Sequence, residues 1–257
     1  EAITKKSALA EGKTPNKHNL FIITAEPLED AVYTAYKKGE IIDGRMKKKE
    51  EALWKKLQAL GVDYDEAKNY KEIYRGCVLI DDTKGIVQIG EILSLLMDGF
   101  EQVVDKGPLA GEPCAKLKIR IVDLKLHEDA IHRGPSQVYP AIRDAIRDGM
   151  AKGNSVLLEP QQIHLIEAPM MYMGEVTKLV TSKRGQMQDV NQVGNTAMIK
   201  AKLPVSEMLG WSSDLRSATE GRGVSSLIDQ MFEKTPTEIQ NKVIRQIRAR
   251  KGMVATA

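Results

Sequence analysis

Cysteine is scarce: Cys77 and Cys114 are the only two in 257 residues. Two thiols cannot build a disulfide framework, and their spacing fits no thiolate metal site. A reducing cytoplasm is the expected compartment. Aromatic residues are few, at 5%, which argues against a sheet that stacks RNA bases on paired aromatic rings. The apolar stretch Ile92 to Met97 is far shorter than the roughly 20 residues of a membrane-spanning helix. The start of the chain shows no basic-then-apolar signal segment. Glycine-rich phosphate loops are missing too. Gly12-Lys13-Thr14 resembles the end of such a loop, but the motif needs glycine where Ser7 stands, and Pro15 blocks the helix that should follow. No GTP or ATP site is visible.

What is present is an ordinary globular composition, with 42% hydrophobic and 28% charged residues, long enough for one large or two medium domains. The net charge of +3 and pI of about 8.7 are mild, so basic residues matter only where they cluster. They cluster at Lys5-Lys6, Lys13 to Lys17, Lys47 to Lys49, Lys183-Arg184 and Arg245 to Lys251. Each cluster is equally compatible with a solvated face. The chain opens at Glu1 inside what reads as a strand, so a fragment of a longer protein is expected.

Periodicity divides the chain in two. In the first part Glu11 to Asn19 reads as a polar loop, and Leu20 to Thr24 as a strand. Glu29 to Leu60 is helical with a break at Gly39, and Gly61 stops it. Cys77 to Ile80 is a strand, Ile86 to Phe100 an amphipathic helix, and Leu117 to Ile121 a half-buried strand with Lys118 and Arg120 facing out. A helix through Ile142, Ile146 and Met150 follows, with Pro140 near its start. Ala151 to Asn154 is the best linker. Beyond it Ile163 to Ile166, Gly174 to Ser182, Met187 to Val193, Thr196 to Leu203, Ser206 to Leu215 and Leu227 to Phe232 alternate as β-α-β-β-α-β, the ferredoxin-like order. The two middle strands turn at Gly194-Asn195. A basic helix with Ile239, Val243 and Ile247 on one stripe closes the chain. The expected fold class is α+β, with domains at 1–153 and 154–257, the basic helix belonging to the second.

His127 to His132 (HEDAIH) invites a zinc reading. The metalloprotease motif sets its histidines four apart on one helical face. Here they are five apart, about 140° around a helix, and no third ligand is evident in the sequence. An acid–base pair with Glu128 or Asp129 lacks a nucleophile. A loop whose polar groups cap the following helix explains the segment equally well.

The loop Leu126-His127-Glu128-Asp129-Ala130-Ile131-His132-Arg133-Gly134-Pro135-Ser136-Gln137-Val138 resembles the diphthamide loop of the elongation factor 2 family. Glu11-Gly12-Lys13-Thr14-Pro15-Asn16-Lys17-His18-Asn19 is similar to that family's other tip loop. Gly107-Pro108-Leu109, Glu112-Pro113, Leu158-Glu159-Pro160, Ser182-Lys183-Arg184-Gly185, Leu203-Pro204-Val205 and Asp214-Leu215-Arg216-Ser217 also look like the family. Gly134-Pro135-Ser136, where eukaryotic members carry consecutive glycines, fits the archaeal branch, and Pro135 should stiffen the loop. The resemblance implies domain IV, like the second domain of ribosomal protein S5, followed by a ferredoxin-like domain V. It implies a translocase that moves tRNA and mRNA on the ribosome, with His132 as the diphthamide acceptor. Lys13, Lys17, His18 and Arg133 are then expected on RNA phosphates, Asn16 and Gln137 on 2′-hydroxyls, and Pro15, His127, Asp129 and Gly134 in shaping the loop. Lys183, Arg184, Arg216 and Arg222 are expected to meet large-subunit RNA near the GTPase centre. GTP and magnesium would belong to a GTP-binding domain outside this chain, with no cofactor or metal and no catalysis here. Expected partners are the ribosome, tRNA, mRNA, the diphthamide-forming enzymes and diphtheria-type toxins, with no membrane. The alternatives are a stand-alone RNA-binding module without a GTPase, and a hydrolase using the histidine loop.

Overall fold

Strand β6 (Cys77–Asp81) shows how the first unit is built. Its residues alternate, so Cys77 and Leu79 enter one apolar core while Val78 and Ile80 enter another. A strand buried on both faces reads as a continuous apolar run, as this one does. The computed structural model describes residues 1–46, 50–83 and 89–254. The basic cluster Lys47 to Lys49 and the expected helix start at Ile86 lie outside them.

The chain divides into two units, 1–157 with 237–257, and 158–236. In the first, strands β2 (Ala10–Lys13), β3 (Leu20–Pro27), β4 (Gly44–Arg45), β5 (Tyr70–Tyr74), β6 and β7 (Leu117–Lys125) form one sheet in the order β2-β3-β7-β6-β5-β4. Only the β6–β7 pairing is parallel among the described residues. Helices α4 (Ile89–Asp105) and α5 (Pro135–Lys152) cover one face through Ile92, Leu96, Phe100, Val138, Ile142 and Ile146. Burying each such side chain contributes about 2 kcal/mol. Helices α1 (Asp30–Lys37), α2 (Glu51–Ala59) and α3 (Tyr64–Lys68) cover the other face through Val32, Leu57 and Ala67. A short pair, β1 (Ala2–Ile3) with β8 (Ser155–Val156), ties the start of the chain to the end of α5.

The alternation on β7 is misleading. Lys118 and Arg120 do not face solvent: Lys118 is 2% exposed. α3 lies over them, and Glu66 accepts from Lys118 at 2.7 Å and from Arg120 at 2.8 Å. Glu29 also accepts from Lys118, and Asp82 and Glu26 from Arg120. Burial opposes ionisation at both carboxyls, yet Lys118 and Arg120 hold Glu66, and Lys6 and Arg120 hold Glu26, below the ordinary carboxyl range. Two further readings are corrected. Glu11 to Asn19 is not all loop, because β2 runs to Lys13. Pro140 is not near a helix start, because α5 begins at Pro135, which takes the first helical position. Pro135 therefore starts a helix rather than stiffening a loop. Pro140 removes the bond to the carbonyl of Ser136, an exposed residue that water can satisfy.

In the second unit, strands β9 (Leu158–Pro169), β10 (Gln186–Val193), β11 (Thr196–Pro204) and β12 (Val224–Lys234) form an antiparallel sheet ordered β10-β11-β9-β12. Helices α6 (Met173–Ser182) and α7 (Trp211–Ala218) pack on one face over Ile166, Ile199 and Leu203. This is the expected ferredoxin-like order, with Gly194 in the hairpin turn at φ +61°. The second helix begins at Trp211, not Ser206. Gly210, at φ +78°, turns the chain into it, after a short 3-10 turn at Val205–Glu207.

The closing helix α8 (Thr237–Arg250) departs from the expected division. It belongs to the first unit, where Val243, Ile244 and Ile247 meet Leu109, Ala110 and Leu157. Arg248 donates to the Leu109 carbonyl at 2.9 Å, and Lys251 to that of Gly111 at 2.7 Å. Its stripe fits the 107–112 loop, so Arg248 within the helix and Lys251 just beyond it are anchors within the unit.

Candidate functional site: a two-loop histidine tip

Strands β3 and β7 are antiparallel, with Leu20 opposite Lys125. The loop entering β3 and the loop leaving β7 therefore emerge at the same end of the sheet. The first spans residues 14–19, the second 126–134. Nothing in their sequence spacing brings them together; the strand register does.

The first loop is a tight turn. Thr14 N–H donates to the Asn19 carbonyl at 3.0 Å, and Lys17 N–H to the Thr14 carbonyl at 2.7 Å. Lys17 sits at φ +62°, a left-handed conformation that costs a non-glycine residue on the order of 1 kcal/mol. The second loop folds on itself. Asp129 N–H donates to Nδ1 of His127 at 3.1 Å, and Asp129 Oδ1 accepts from Ile131 N–H at 3.1 Å. A short 3-10 turn, Ala130–Arg133, then leads through Gly134 into α5.

The loops are joined by side-chain amides. Asn19 accepts from His127 N–H at 2.9 Å and donates to the His132 carbonyl at 2.8 Å. Asn16 donates to the same carbonyl at 3.3 Å, and its own N–H bonds Gln137 Oε1 at 2.9 Å. Three of the four histidines in the chain meet above these bonds. Ring centroids lie 4.8 Å apart for His18 and His127, 4.6 Å for His18 and His132, and 4.5 Å for His127 and His132. No third histidine stands near the HEDAIH segment along the chain; the fold supplies His18. Even so, no group of His, Cys, Asp or Glu is arranged to hold a metal among the described residues.

The expected RNA-facing residues separate into two sets. Lys13, Lys17 and His18 are exposed, as is Pro15, and no side-chain partner holds either lysine among the described residues. Arg133 is not free: it is 7% exposed, reaches Glu91 at 3.0 Å and donates to the Glu128 carbonyl at 3.3 Å. It braces the loop from beneath. Asn16 spends its side-chain amide on the His132 carbonyl, the Thr14 hydroxyl and the His18 N–H, and the Gln137 Oε1 accepts from the Asn16 N–H. Thr14, Asn19 and Glu91 were overlooked; the only hint was two uncharged polar residues flanking a loop that precedes an apolar strand.

The second unit divides likewise. Arg184 is clamped by Glu159, Glu207 and Ser206, and Lys183 pairs with Asp214 at 2.8 Å. Arg216 and Arg222 are exposed. This unit also holds a serine–histidine contact, His164 Nδ1 to Ser225 Oγ at 2.9 Å. The Ser225 oxygen already accepts from Trp211 Nε1 at 3.0 Å. His164 is 8% exposed, and burial lowers its pKa. The contact is a satisfied core network rather than a nucleophile and base.

The model for domain IV of elongation factor G matches residues 39–154, and the model for the elongation factor G C-terminus matches 156–243. Over 253 residues the chain is 47% identical to elongation factor 2 of Pyrococcus horikoshii, covering 98% of this chain and 34% of that protein. It is 46% identical to those of Thermococcus kodakarensis and Nanoarchaeum equitans, covering 34% and 35% of each. The fold and the two matches define a domain IV followed by a C-terminal domain V. The chain belongs to the elongation factor 2 family and corresponds to its C-terminal part. It spans about a third of the length of the curated relatives it matches.

Proposed function

We propose that this chain is the part of a ribosomal translocase that reaches into the decoding region of the small subunit, holds the tRNA–mRNA duplex by its tip, and carries diphthamide on His132. The observation that supports this reading is the convergence of the 14–19 and 126–134 loops around His132. A duplex read by shape needs donors and charge on a narrow, rigid projection. Exposed Lys13, Lys17 and His18 supply phosphate contacts. His127, Asp129, Arg133, Gly134 and Gln137 act from within, by fixing the loop. Diphthamide on His132 adds a long cationic group bearing an amide, extending the reach of the tip.

In the second unit Arg216 and Arg222 are the contacts to large-subunit RNA near the GTPase centre, with Lys183 and Arg184 shaping the surface that presents them. GTP and magnesium bind the factor's GTP-binding domain, and GTP hydrolysis belongs there. The factor works in the cytoplasm, where the diphthamide-forming enzymes, and toxins that ADP-ribosylate diphthamide, act on the same loop. The test is the mass of the His132-containing peptide from the intact factor purified from its native host. A diphthamide-sized addition on His132 is expected. An unmodified His132, in a host whose extracts install diphthamide on another member of the family, overturns the assignment.

A further inference from the structure

Asn19 is 2% exposed, yet it lies at the end of an otherwise polar loop. Its orientation follows from chemistry, since Oδ1 can only accept and Nδ2 can only donate. Oδ1 therefore faces His127 N–H, at 2.9 Å, and Nδ2 faces the His132 carbonyl, at 2.8 Å. Thr14 locks it from behind: Thr14 Oγ1 accepts from Asn19 N–H at 3.0 Å and donates to Asn16 Oδ1 at 2.6 Å. One buried amide thus ties the peptide groups of two histidines whose rings touch at 4.5 Å.

Burial of apolar surface cannot do this work. Ile131, the large apolar residue of the turn, is 78% exposed. The loop is held by polar contacts, and leaving any of them unpaired while buried is costly. The contacts to His132 fall on its backbone. Among the described residues no hydrogen bond reaches its ring, which only packs against those of His18 and His127.

We propose that Asn19 is the positioning residue for His132. It fixes the backbone at both ends of the HEDAIH segment, so that the His132 imidazole is presented between two other rings while its edge stays open to chemical elaboration. A ring enlarged at that edge leaves the clamp undisturbed. The functional half of this inference rests on His132 being the modified residue; the geometric half does not.

The test uses Asn19→Ala and Asn19→Asp, in this chain and in the intact factor. In this chain, NMR contacts between the ring protons of His132 and those of His18 and His127 are followed, with the methyls of Ile23 and Leu79 reporting on the core. Asn19→Ala should abolish the ring contacts, leave the methyl signals in place, and raise the reaction of His132 with diethyl pyrocarbonate. Should Asn19→Ala fail to fold, Asn19→Asp gives the same comparison: it keeps volume and acceptor but loses the donor to His132. In the intact factor made in its native host, the modification rate at His132 should fall roughly a hundredfold, as for a reacting group displaced by about 1 Å. Intact ring contacts in a folded Asn19 variant overturn the positioning role whatever the modification state. Altered ring contacts with wild-type factor unmodified support the positioning role and count against the functional reading alone.

Discussion

Arg184 grips Glu159 through two parallel contacts, Nη1 to Oε1 at 3.2 Å and Nη2 to Oε2 at 2.9 Å, and its Nε reaches Glu207 at 3.0 Å. A forked guanidinium on a 7% exposed glutamate is an internal fastening that only arginine fits. The same glutamate holds the guanidinium above its ordinary pKa. Arg184→Ala should therefore destabilise the second unit by about 2 kcal/mol, because it leaves Glu159 buried without its partner. Arg184→Lys should recover less than half of that. Urea unfolding midpoints check both, and ribosome binding by folded Arg184→Ala should change less than for Arg222→Ala.

Glu72 is buried beside Arg45, at 2.9 Å, which also binds Asp98 and Glu101, each at 2.6 Å. Burial and the facing Glu101 carboxylate outweigh Arg45 and push the Glu72 pKa up to about 8. The folded chain then keeps a proton that the unfolded chain releases near the ordinary glutamate value of 4.5. That contribution to stability is full below about pH 4.5 and is lost as pH rises through about 8. Glu72→Gln should remove this decline, becoming the more stable form near pH 8.5. Denaturant midpoints of both proteins between pH 5 and 9 check it; parallel curves would refute it.

Gly12 lies in β2 against α5, where a Cβ would fall inside the van der Waals envelope of the Ala141 carbonyl oxygen. Gly12→Ala must push strand and helix apart, and is expected to cost about 3 kcal/mol. Because β2 leads directly into the 14–19 loop, the ring contacts at the tip should weaken in the same variant. Thermal unfolding and the histidine ring signals check the two effects separately.

Lys13 and Lys17 are exposed on the tip. If each neutralises one phosphate, replacing both with alanine in the intact factor should flatten the salt dependence of ribosome binding by about 1 to 2 units of slope. Arg133→Ala should act differently, by loosening the loop over Glu91. Binding titrations at several salt concentrations distinguish a changed slope from a uniform loss.

The ferredoxin-like unit was legible because its strands and helices alternate cleanly and Gly194-Asn195 marks the hairpin. β7 was misread for a physical reason: Lys118 and Arg120 alternate with apolar residues as on a solvated strand, but α3 brings Glu66 over them. No local pattern encodes a cover that arrives from 52 residues away. The histidine loop was recognisable as a motif, whereas its partnership with His18 and Asn19 depends on the β3–β7 register. The basic residues divided by their neighbours: Lys13 and Lys17 stayed outside, and Arg133 and Arg184 turned inward toward carboxylates the sequence holds far away.

Because α8 closes onto the 107–112 loop, the order of synthesis and the order of completion differ. The 158–236 unit is one uninterrupted segment and can finish folding as soon as it has left the exit tunnel. The histidine-bearing unit, begun earlier, must wait for Val243, Ile244 and Ile247 before Ala110 and Leu157 are covered. A released chain truncated ahead of residue 237 would thus carry a complete later unit and an apolar gap in the earlier one, a natural place for a chaperone to hold.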